Sequence, residues 1–364
     1  MLPRILVIGN YNDVQASRPE AEIYISLRKE GYPIFIATDK ECSYAKRFTE
    51  EGLEIIDYSA GKKFDKENIA LLRGILTQYH IDIMHIFSPK AMVNAIQAAK
   101  NIPVKVIAYR GYTGNTEWWD LTLYYKHLSP RVDAITCLTD ATRDLVRKNL
   151  LWNKEKAITI KKGHKTEWYE NVEAANLDEF SIPKDAFVIS CTANVRPMKG
   201  VKYLIQAMRY LSLNTPIHIL LIGKGFDTGK FLKMIETSPL KSNIHLAGFR
   251  SDAMSLVKAC NASILPSIYG EAITKAVIES MYMRVPAIIT DISGNRGMVV
   301  NGKSGYIVAR KNAKALASAM ETMASDKQHA KIMGDEAFKH IFAFLSHEDT
   351  VEQIKLLYGV LMRK

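Results

Sequence analysis

The sequence predicts an α/β protein made of two Rossmann-like, doubly wound halves facing each other across a cleft. Three observations predict it. Short β-branched runs alternate with longer helical stretches through the first half of the chain. That rhythm lapses over residues 163–183, and a second alternating series then follows. At 364 residues the chain is long for one domain and comfortable for two.

The first strand is the apolar run at residues 5–8, which stops at Gly9-Asn10. A helix is expected over 19–30, closed by Gly31, and a strand over 34–37. Strands at 53–56, 81–87, 104–108 and 134–138 follow, with helices at 66–79, 89–100, 119–128 and 141–150 between and after them. Alternation of this kind specifies a parallel sheet with helices on both faces. The next stretch is polar, carries Asn171, Asn176 and Asp178, and ends at Ser181-Ile-Pro183, so it is expected to act as a hinge. The second series comprises strands at 187–190, 217–222, 244–246, 263–265 and 287–289, and helices at 201–211, 253–259 and 274–283. From Ala313 onward the pattern is helical almost throughout. The expected domains are 1–165, completed by a C-terminal helix at 347–364, and 166–346.

Composition narrows the function. Nearly half the residues are apolar and about a quarter charged, which is ordinary for a globular protein. The net charge of +11 is dispersed, in short clusters such as Lys161-Lys162, so a nucleic-acid stripe is not expected. An anionic substrate or a membrane surface remains a fitting partner. Cys42, Cys137, Cys191 and Cys260 lack C-x-x-C spacing and read as reduced core thiols. No Asp-x-Asp pair occurs, so no metal site is expected. The chain opens on a strand-like run rather than a signal peptide and has no apolar run of bilayer length, which predicts a cytoplasmic protein.

Chemistry concentrates in the second half. Ser267-Ile-Tyr-Gly-Glu271-Ala-Ile-Thr-Lys-Ala-Val-Ile-Glu279 places a glycine-containing loop between a strand and a helix that begins near Thr274. The first turn of such a helix, Ala272, Ile273, Thr274 and Lys275, offers N–H groups and a partial positive charge to a phosphate. Glu271 and Glu279, roughly 12 Å apart along a helix, suit hydroxyls on either side of a diphosphate. Lys275 and Glu279, at i and i+4, are equally suited to a plain surface ion pair. Arg196 and Lys199, in Asn194-Val-Arg-Pro-Met-Lys-Gly200, stand in a strand-to-helix loop and fit a diphosphate or a solvated loop alike. Gly223 and Gly225 in Leu221-Ile-Gly-Lys-Gly, and the Gly248-Phe249-Arg250-Ser-Asp252 segment, fit either close ligand approach or turn chemistry. In the first half, His85 reads as a packed core histidine. Trp118-Trp119 with Tyr124-Tyr125 form either a sugar- or lipid-facing platform or a core stripe.

These segments, in this order, resemble the nucleotide-binding half of the large family-four, retaining glycosyltransferases of GT-B architecture. The R-x-x-K-G loop at 196–200, the I-G-K-G turn, the G-F-x-x-D segment, Leu265-Pro-Ser267 and the seven-residue spacing of Glu271 and Glu279 carry the likeness. Val285-Pro286, Ser293-Gly294 and Gly302-Lys-Ser-Gly305-Tyr306 complete it. It is specific over residues 187–310 and looser over 4–170. The resemblance implies that Arg196 and Lys199 hold a donor diphosphate, Glu271 the transferred sugar and Glu279 the ribose, with Phe249 and Arg250 meeting the base largely through backbone. It also implies an acceptor-side first half against which the last helix packs; closure of the halves by bending near residues 162–183 is expected from the loss of strand–helix rhythm there. The chain departs from the family pattern in several places. Asn194 stands where the family has arginine, and Glu271 is followed by Ala-Ile-Thr rather than Gly-Phe-Gly. The glycine pair usual near the start of the first helix is missing, with Ser17-Arg18-Pro19-Glu20 nearby; Arg110 replaces a histidine, and Lys162-Gly-His164-Lys165 replaces Asn-Gly-x-Asp.

The expected function is metal-independent, retaining glycosyl transfer from a nucleoside-diphosphate sugar, with no other cofactor, to a glycan, lipid-linked or small-molecule acceptor. It would serve polysaccharide biosynthesis, with contact at the inner membrane face as a further expectation. A sugar-nucleotide epimerase and a non-catalytic scaffold of the same fold are the alternatives. An epimerase needs no acceptor, and a scaffold would not need Lys199, Glu271 and Glu279.

Overall fold

Residues 2–113, 117–271, 273–295 and 297–363 are described by the computed structural model. The chain forms two units, residues 1–164 with 345–364, and residues 165–344.

The first unit contains β1 (Ile5–Ile8), α1 (Val14–Lys29), β2 (Ile34–Thr38), α2 (Ala45–Glu50), β3 (Glu54–Asp57), α3 (Lys66–Gln78), β4 (Ile83–Ile86), α4 (Met92–Ala98), β5 (Lys105–Arg110), β6 (Ala134–Cys137), α5 (Asp140–Asn149) and β7 (Ala157–Thr159). Its seven strands are ordered β3-β2-β1-β4-β5-β6-β7, all pairs parallel. β1, β2, β4 and β6 are buried along their whole length, which is why they read as unbroken apolar runs rather than alternating ones.

The second unit contains α6 (Glu167–Glu170), β8 (Phe187–Thr192), α7 (Val201–Ala207), β9 (Ile217–Ile222), α8 (Gly229–Glu236), β10 (Ile244–Gly248), α9 (Ala253–Lys258), β11 (Ala262–Leu265), α10 (Lys275–Tyr282), β12 (Ala287–Thr290), β13 (Gly305–Val308), α11 (Ala313–Ala324) and α12 (Lys327–Phe344). Its six parallel strands are ordered β10-β9-β8-β11-β12-β13. α13 (His347–Arg363) returns to the first unit and packs on α1. Thr350 Oγ1 fixes it there, donating to Lys161 O at 3.0 Å and accepting from Gly163 N at 3.0 Å.

Both sheets are Rossmann-like and doubly wound, as the sequence predicts. Each reverses its strand order once, between β1 and β4 and between β8 and β11. Ligands of such sheets bind at the carboxyl ends of the strands beside that reversal.

Several element bounds differ from expectation. α1 begins at Val14, not residue 19: the Asp13 side chain accepts from Ala16 N at 3.1 Å, and the helix runs on through Pro19. Pro19 lies past the first turn, so the helix goes without one i→i−4 bond there. The helix expected over 119–128 is only a 3-10 turn, Leu121–Tyr125, because Lys126 leaves helical backbone (φ −131°, ψ −125°). The helix expected over 201–211 passes at Met208 into a 3-10 turn. α2, α6, α8, β7 and β13 are not among the expected elements.

Candidate functional site

In the second unit, the loops that follow β8 and β11 leave the two strands flanking the reversal point. They are stitched together. Ile268 N donates to Met198 O at 2.7 Å. Gly200, at φ +65°, closes the 3-10 turn Pro197–Lys199 and opens α7. A Cβ there would sit 2.0 Å from Pro266 O, so only glycine lets the loops approach.

That approach brings Lys199 to Glu271. Lys199 Nζ lies 2.6 Å from Glu271 Oε1, with the side chains only 18% and 10% exposed. Ser267 Oγ, fully buried, donates to the same carboxylate oxygen at 2.9 Å. Thr290 Oγ1 in turn bonds Ser267 O, and Thr274 Oγ1 lies 3.4 Å from Asn295 Oδ1. Ser267, Thr290 and Asn295 therefore brace the loop. The sequence motifs assign none of them a role: Thr290 and Asn295 bond Ser267 and Thr274 across 23 and 21 positions, although Ser267 stands only four positions from Glu271.

The N-terminus of α10 opens beside this loop. Thr274 is its N-cap residue in extended backbone, but its side chain makes no capping bond, and no acidic residue occupies the first turn. By contrast α1, α3, α5 and α11 are each capped by a side chain, from Asp13, Asp65, Thr139 and Asn312. The first turn of α10 thus keeps its partial positive charge without a built-in counter-charge. Ile273 is half-buried and Thr274 buried at this end; Ala272 lies outside the described residues. One turn further on, Lys275 Nζ pairs with Glu279 Oε1 at 3.0 Å, so the ion pair foreseen from the i, i+4 spacing forms. Glu279 is the more sheltered partner, 16% exposed against 42% for Lys275.

The glycine turn after β9 links the ends of three strands. Gly223 N donates to Gly248 O at 2.7 Å, Val195 N to Lys224 O at 2.9 Å, and Lys224 N to Asn194 Oδ1 at 3.0 Å. Asn194 therefore braces the turn. Gly223 (φ +142°) has no room for a side chain, since a Cβ would lie 2.1 Å from Ala193 O; Gly225 adopts φ +92°. Phe249 is exposed, with Lys224 Nζ 4.6 Å from its ring centre. The Arg250 guanidinium is held by both oxygens of Asp252, at 2.7 and 2.8 Å, and by Glu179 at 2.9 Å. The Arg250 side chain is thus engaged with carboxylates. Arg196 is exposed and lines a cavity of about 210 Å³ with Lys202, Lys230 and Phe231.

In the first unit, His85 is a core residue, as expected. Its Nδ1 lies 2.9 Å from Tyr24 Oη and 3.2 Å from Tyr358 Oη, and burial pushes its pKa down to about 3. Arg110 is buried, donates from Nε to Tyr112 O at 3.2 Å and stacks 3.9 Å over the Tyr112 ring. It lines a cavity of about 370 Å³ with Phe87, Tyr109, Lys126 and His127. His164 is buried, its backbone N donating to Leu345 O at 2.8 Å; Lys165 begins the second unit. Lys162 forms a buried pair with Glu20 at 2.6 Å, a contact across 142 positions that the sequence did not announce. Among the described residues no group of three or more His, Cys, Asp or Glu could hold a metal ion.

The model of the family described as glycosyl transferases group 1 matches residues 172–340, and that of glycosyltransferase family 4 matches residues 21–168. This chain belongs to the family-four glycosyltransferases of GT-B architecture. It is 24% identical over 308 residues to the Escherichia coli UDP-Gal:alpha-D-GlcNAc-diphosphoundecaprenol alpha-1,3-galactosyltransferase, covering 81% of this chain and 79% of that one. In fold it is similar to a glycosyltransferase from Rickettsia africae, with TM-score 0.84 at 19% identity, covering 100% and 99% of the two chains. It is also similar to the Anabaena protein HepE in complex with UDP, with TM-score 0.76 at 15% identity, covering 98% and 100%. The protein is a glycosyltransferase. No helix among the described residues is long and apolar enough to cross a membrane.

Proposed function

We propose that this glycosyltransferase moves a sugar from a nucleoside diphosphate to an acceptor hydroxyl, with retention of configuration and without a metal ion. The acceptor would be a growing glycan, a lipid-linked sugar or a small molecule, and the reaction a step of polysaccharide assembly. The observation that carries the reading is the sheltered Lys199–Glu271 pair beside an uncapped helix N-terminus, at the strand reversal of the second unit.

Lys199 and the first turn of α10 supply positive potential where a leaving diphosphate gathers charge. Both are positioned before reaction, so little reorganisation is needed as charge develops. Arg196, exposed on the same loop, adds a fork donor at the diphosphate. Glu271 receives a sugar hydroxyl, and Glu279 the ribose hydroxyls once Lys275 gives way. Backbone at Gly248–Arg250 and the turn at Gly223–Gly225 receive the base. In the chemical step the anomeric C–O bond breaks and its electron pair goes to the leaving diphosphate. The acceptor oxygen bonds the anomeric carbon on the same face, and its proton passes to the departing phosphate oxygen. The names of the similar Escherichia coli enzyme and Anabaena complex, with UDP-Gal and UDP, favour a uridine donor.

A thermal-shift panel of UDP-, GDP- and ADP-sugars, followed by NMR of the product anomer, tests this reading. One donor class should raise the melting temperature and give product of retained configuration. An inverted product, or no response to any donor, would overturn it.

A further inference from the structure

In the first unit β5 ends in Tyr109-Arg110, and Gly111-Tyr112 carry the chain off the sheet. Phe87 directly follows β4, the strand paired with β5. These residues therefore stand at the carboxyl ends of neighbouring strands, the edge at which doubly wound sheets bind ligands. With Lys126 and His127 they wall the cavity of about 370 Å³, a volume within the range of small-molecule sites.

The walls combine rings with a buried cation. The Phe87 and Tyr109 rings lie 4.9 Å apart at 33°. Gly111 makes room for Tyr109, since a Cβ there would lie 2.7 Å from the Tyr109 hydroxyl. Arg110 is only 3% exposed. Its bond to Tyr112 O and its stacking on the Tyr112 ring fix the orientation of the planar guanidinium. Burial pulls the Arg110 pKa down, against Tyr112 and Cys137. Where the family pattern has a histidine, the chain thus keeps a charged fork in a sheltered place.

Lys126, half-exposed, adds a second charge to the same wall. Burial, Lys63 and Arg110 hold its pKa below the ordinary lysine value. Asp120 is the acid of the lining, and its carboxylate accepts from Thr122 N at 2.9 Å to cap the turn that follows. Lys63 alone pushes on Lys126 harder than Asp120 pulls, so the local field is positive. His127 contributes no charge at neutral pH. Burial, with Arg110 and Lys126, lowers its pKa to about 4, and its Nε2 donates to Tyr109 O at 3.1 Å.

We propose that this cavity binds an anionic group of the acceptor, a sugar phosphate or a sugar carboxylate, with Arg110 and Lys126 on the anion and the Phe87 and Tyr109 rings against the sugar. Neutral donors and acceptors suffice for sugar hydroxyls. A neutral ligand would deepen the desolvation of the guanidinium, whereas an oxyanion offsets it through charge-assisted bonds. The inference narrows the acceptor of the proposed transfer, and it rests on that reading in taking the first unit as the acceptor side.

Saturation-transfer NMR on the full chain tests it, with glucose, glucose 6-phosphate and glucuronate as probes. At least one of the two anions should bind about tenfold or more tighter than glucose, as charge-assisted bonds require. Which anion binds tells phosphate from carboxylate. Arg110→Gln should weaken that anion about ten- to a hundredfold, and Arg110→Lys should weaken it less. Lys126→Gln, at a half-exposed position, should keep the melting temperature and weaken the anion roughly three- to tenfold. If the buried Arg110 variants do not fold, Lys126→Gln decides alone. UDP titrated separately reads the donor site, so a missing UDP response counts against the donor assignment and not against this one. Binding of neither anion, equal binding of all three probes, affinity indifferent to these variants, or displacement of the anion by saturating UDP would overturn the proposal.

Discussion

Lys199 and Glu271 lie 72 positions apart in sequence and 2.6 Å apart in space, and Ser267 donates to the same Glu271 oxygen. Breaking the pair from either side has different consequences. Lys199→Ala leaves a sheltered carboxylate with one hydroxyl partner and should lower stability by about 1–3 kcal/mol. Glu271→Gln keeps the Ser267 bond and most of the stability, yet should cut turnover about a hundred- to a thousandfold. Urea melts alongside turnover measurements separate the two effects. A fully stable and fully active Lys199→Ala would show that the pair serves neither purpose.

Gly200 and Gly248 make a matched comparison, because both adopt nearly the same positive φ, +65° and +68°. Around Gly248 a Cβ meets nothing within 4 Å, whereas at Gly200 it meets Pro266 O at 2.0 Å. Gly248→Ala should cost about 1–2 kcal/mol of backbone strain. Gly200→Ala should cost clearly more and also depress turnover, since it pries apart the loops carrying Lys199 and Glu271. Equal melting curves for the two variants would contradict the close approach.

The buried histidine gives a pH prediction. His85 is ordinarily a group of pKa 6.5, and burial aided by the Lys162 charge lowers it to about 3 in the folded chain. Tyr24, Tyr358 and Thr136 surround the ring with hydroxyls. Between these pKa values the unfolded chain binds a proton that the folded chain refuses. The stability contribution is therefore complete above about pH 6.5 and drains away as pH falls, by about 1.4 kcal/mol per pH unit for this one site. His85→Gln should flatten that slope in denaturant titrations between pH 6.5 and 4. An unchanged slope would place the lost stability elsewhere.

The proposed donor site predicts metal independence. There Lys199, Arg196 and the α10 N-terminus would neutralise the diphosphate in place of a divalent ion, so transfer should continue at full rate in excess EDTA. Activity abolished by the chelator and restored by manganese or magnesium would contradict this.

Much of the fold was legible because it rests on continuous apolar runs. Ile217–Ile222 is a strand over the predicted residues, buried at every position. β7 was missed because it is three residues long, at a sheet edge, directly after a charged Lys154–Lys156 turn. Pro19 misled the reading of α1, since proline marks helix starts more often than it sits inside them. At the site, the Lys275–Glu279 pair could be read from spacing alone. The Lys199–Glu271 pair could not, because only the strand order brings β8 beside β11. Trp118 and Trp119 show a different limit: their sequence fits a core stripe, and only the Asp120 and Asn149 anchors turn them outward.

The most direct test of the donor-site account is calorimetric titration of the nucleoside diphosphate and of the intact sugar donor into wild type, Glu271→Ala and Glu279→Ala. Glu279→Ala should weaken the bare nucleotide about ten- to a hundredfold, as expected for loss of charge-assisted bonds to ribose. Glu271→Ala should leave that affinity nearly unchanged and erase the preference for the sugar donor over the bare nucleotide. If Glu279 serves only its ion pair with Lys275, its loss should cost a few tenths of a kcal/mol of stability, about the worth of such a helix pair, and leave both affinities intact. Unaltered affinities in both variants would contradict the assignment of these loops as the donor site.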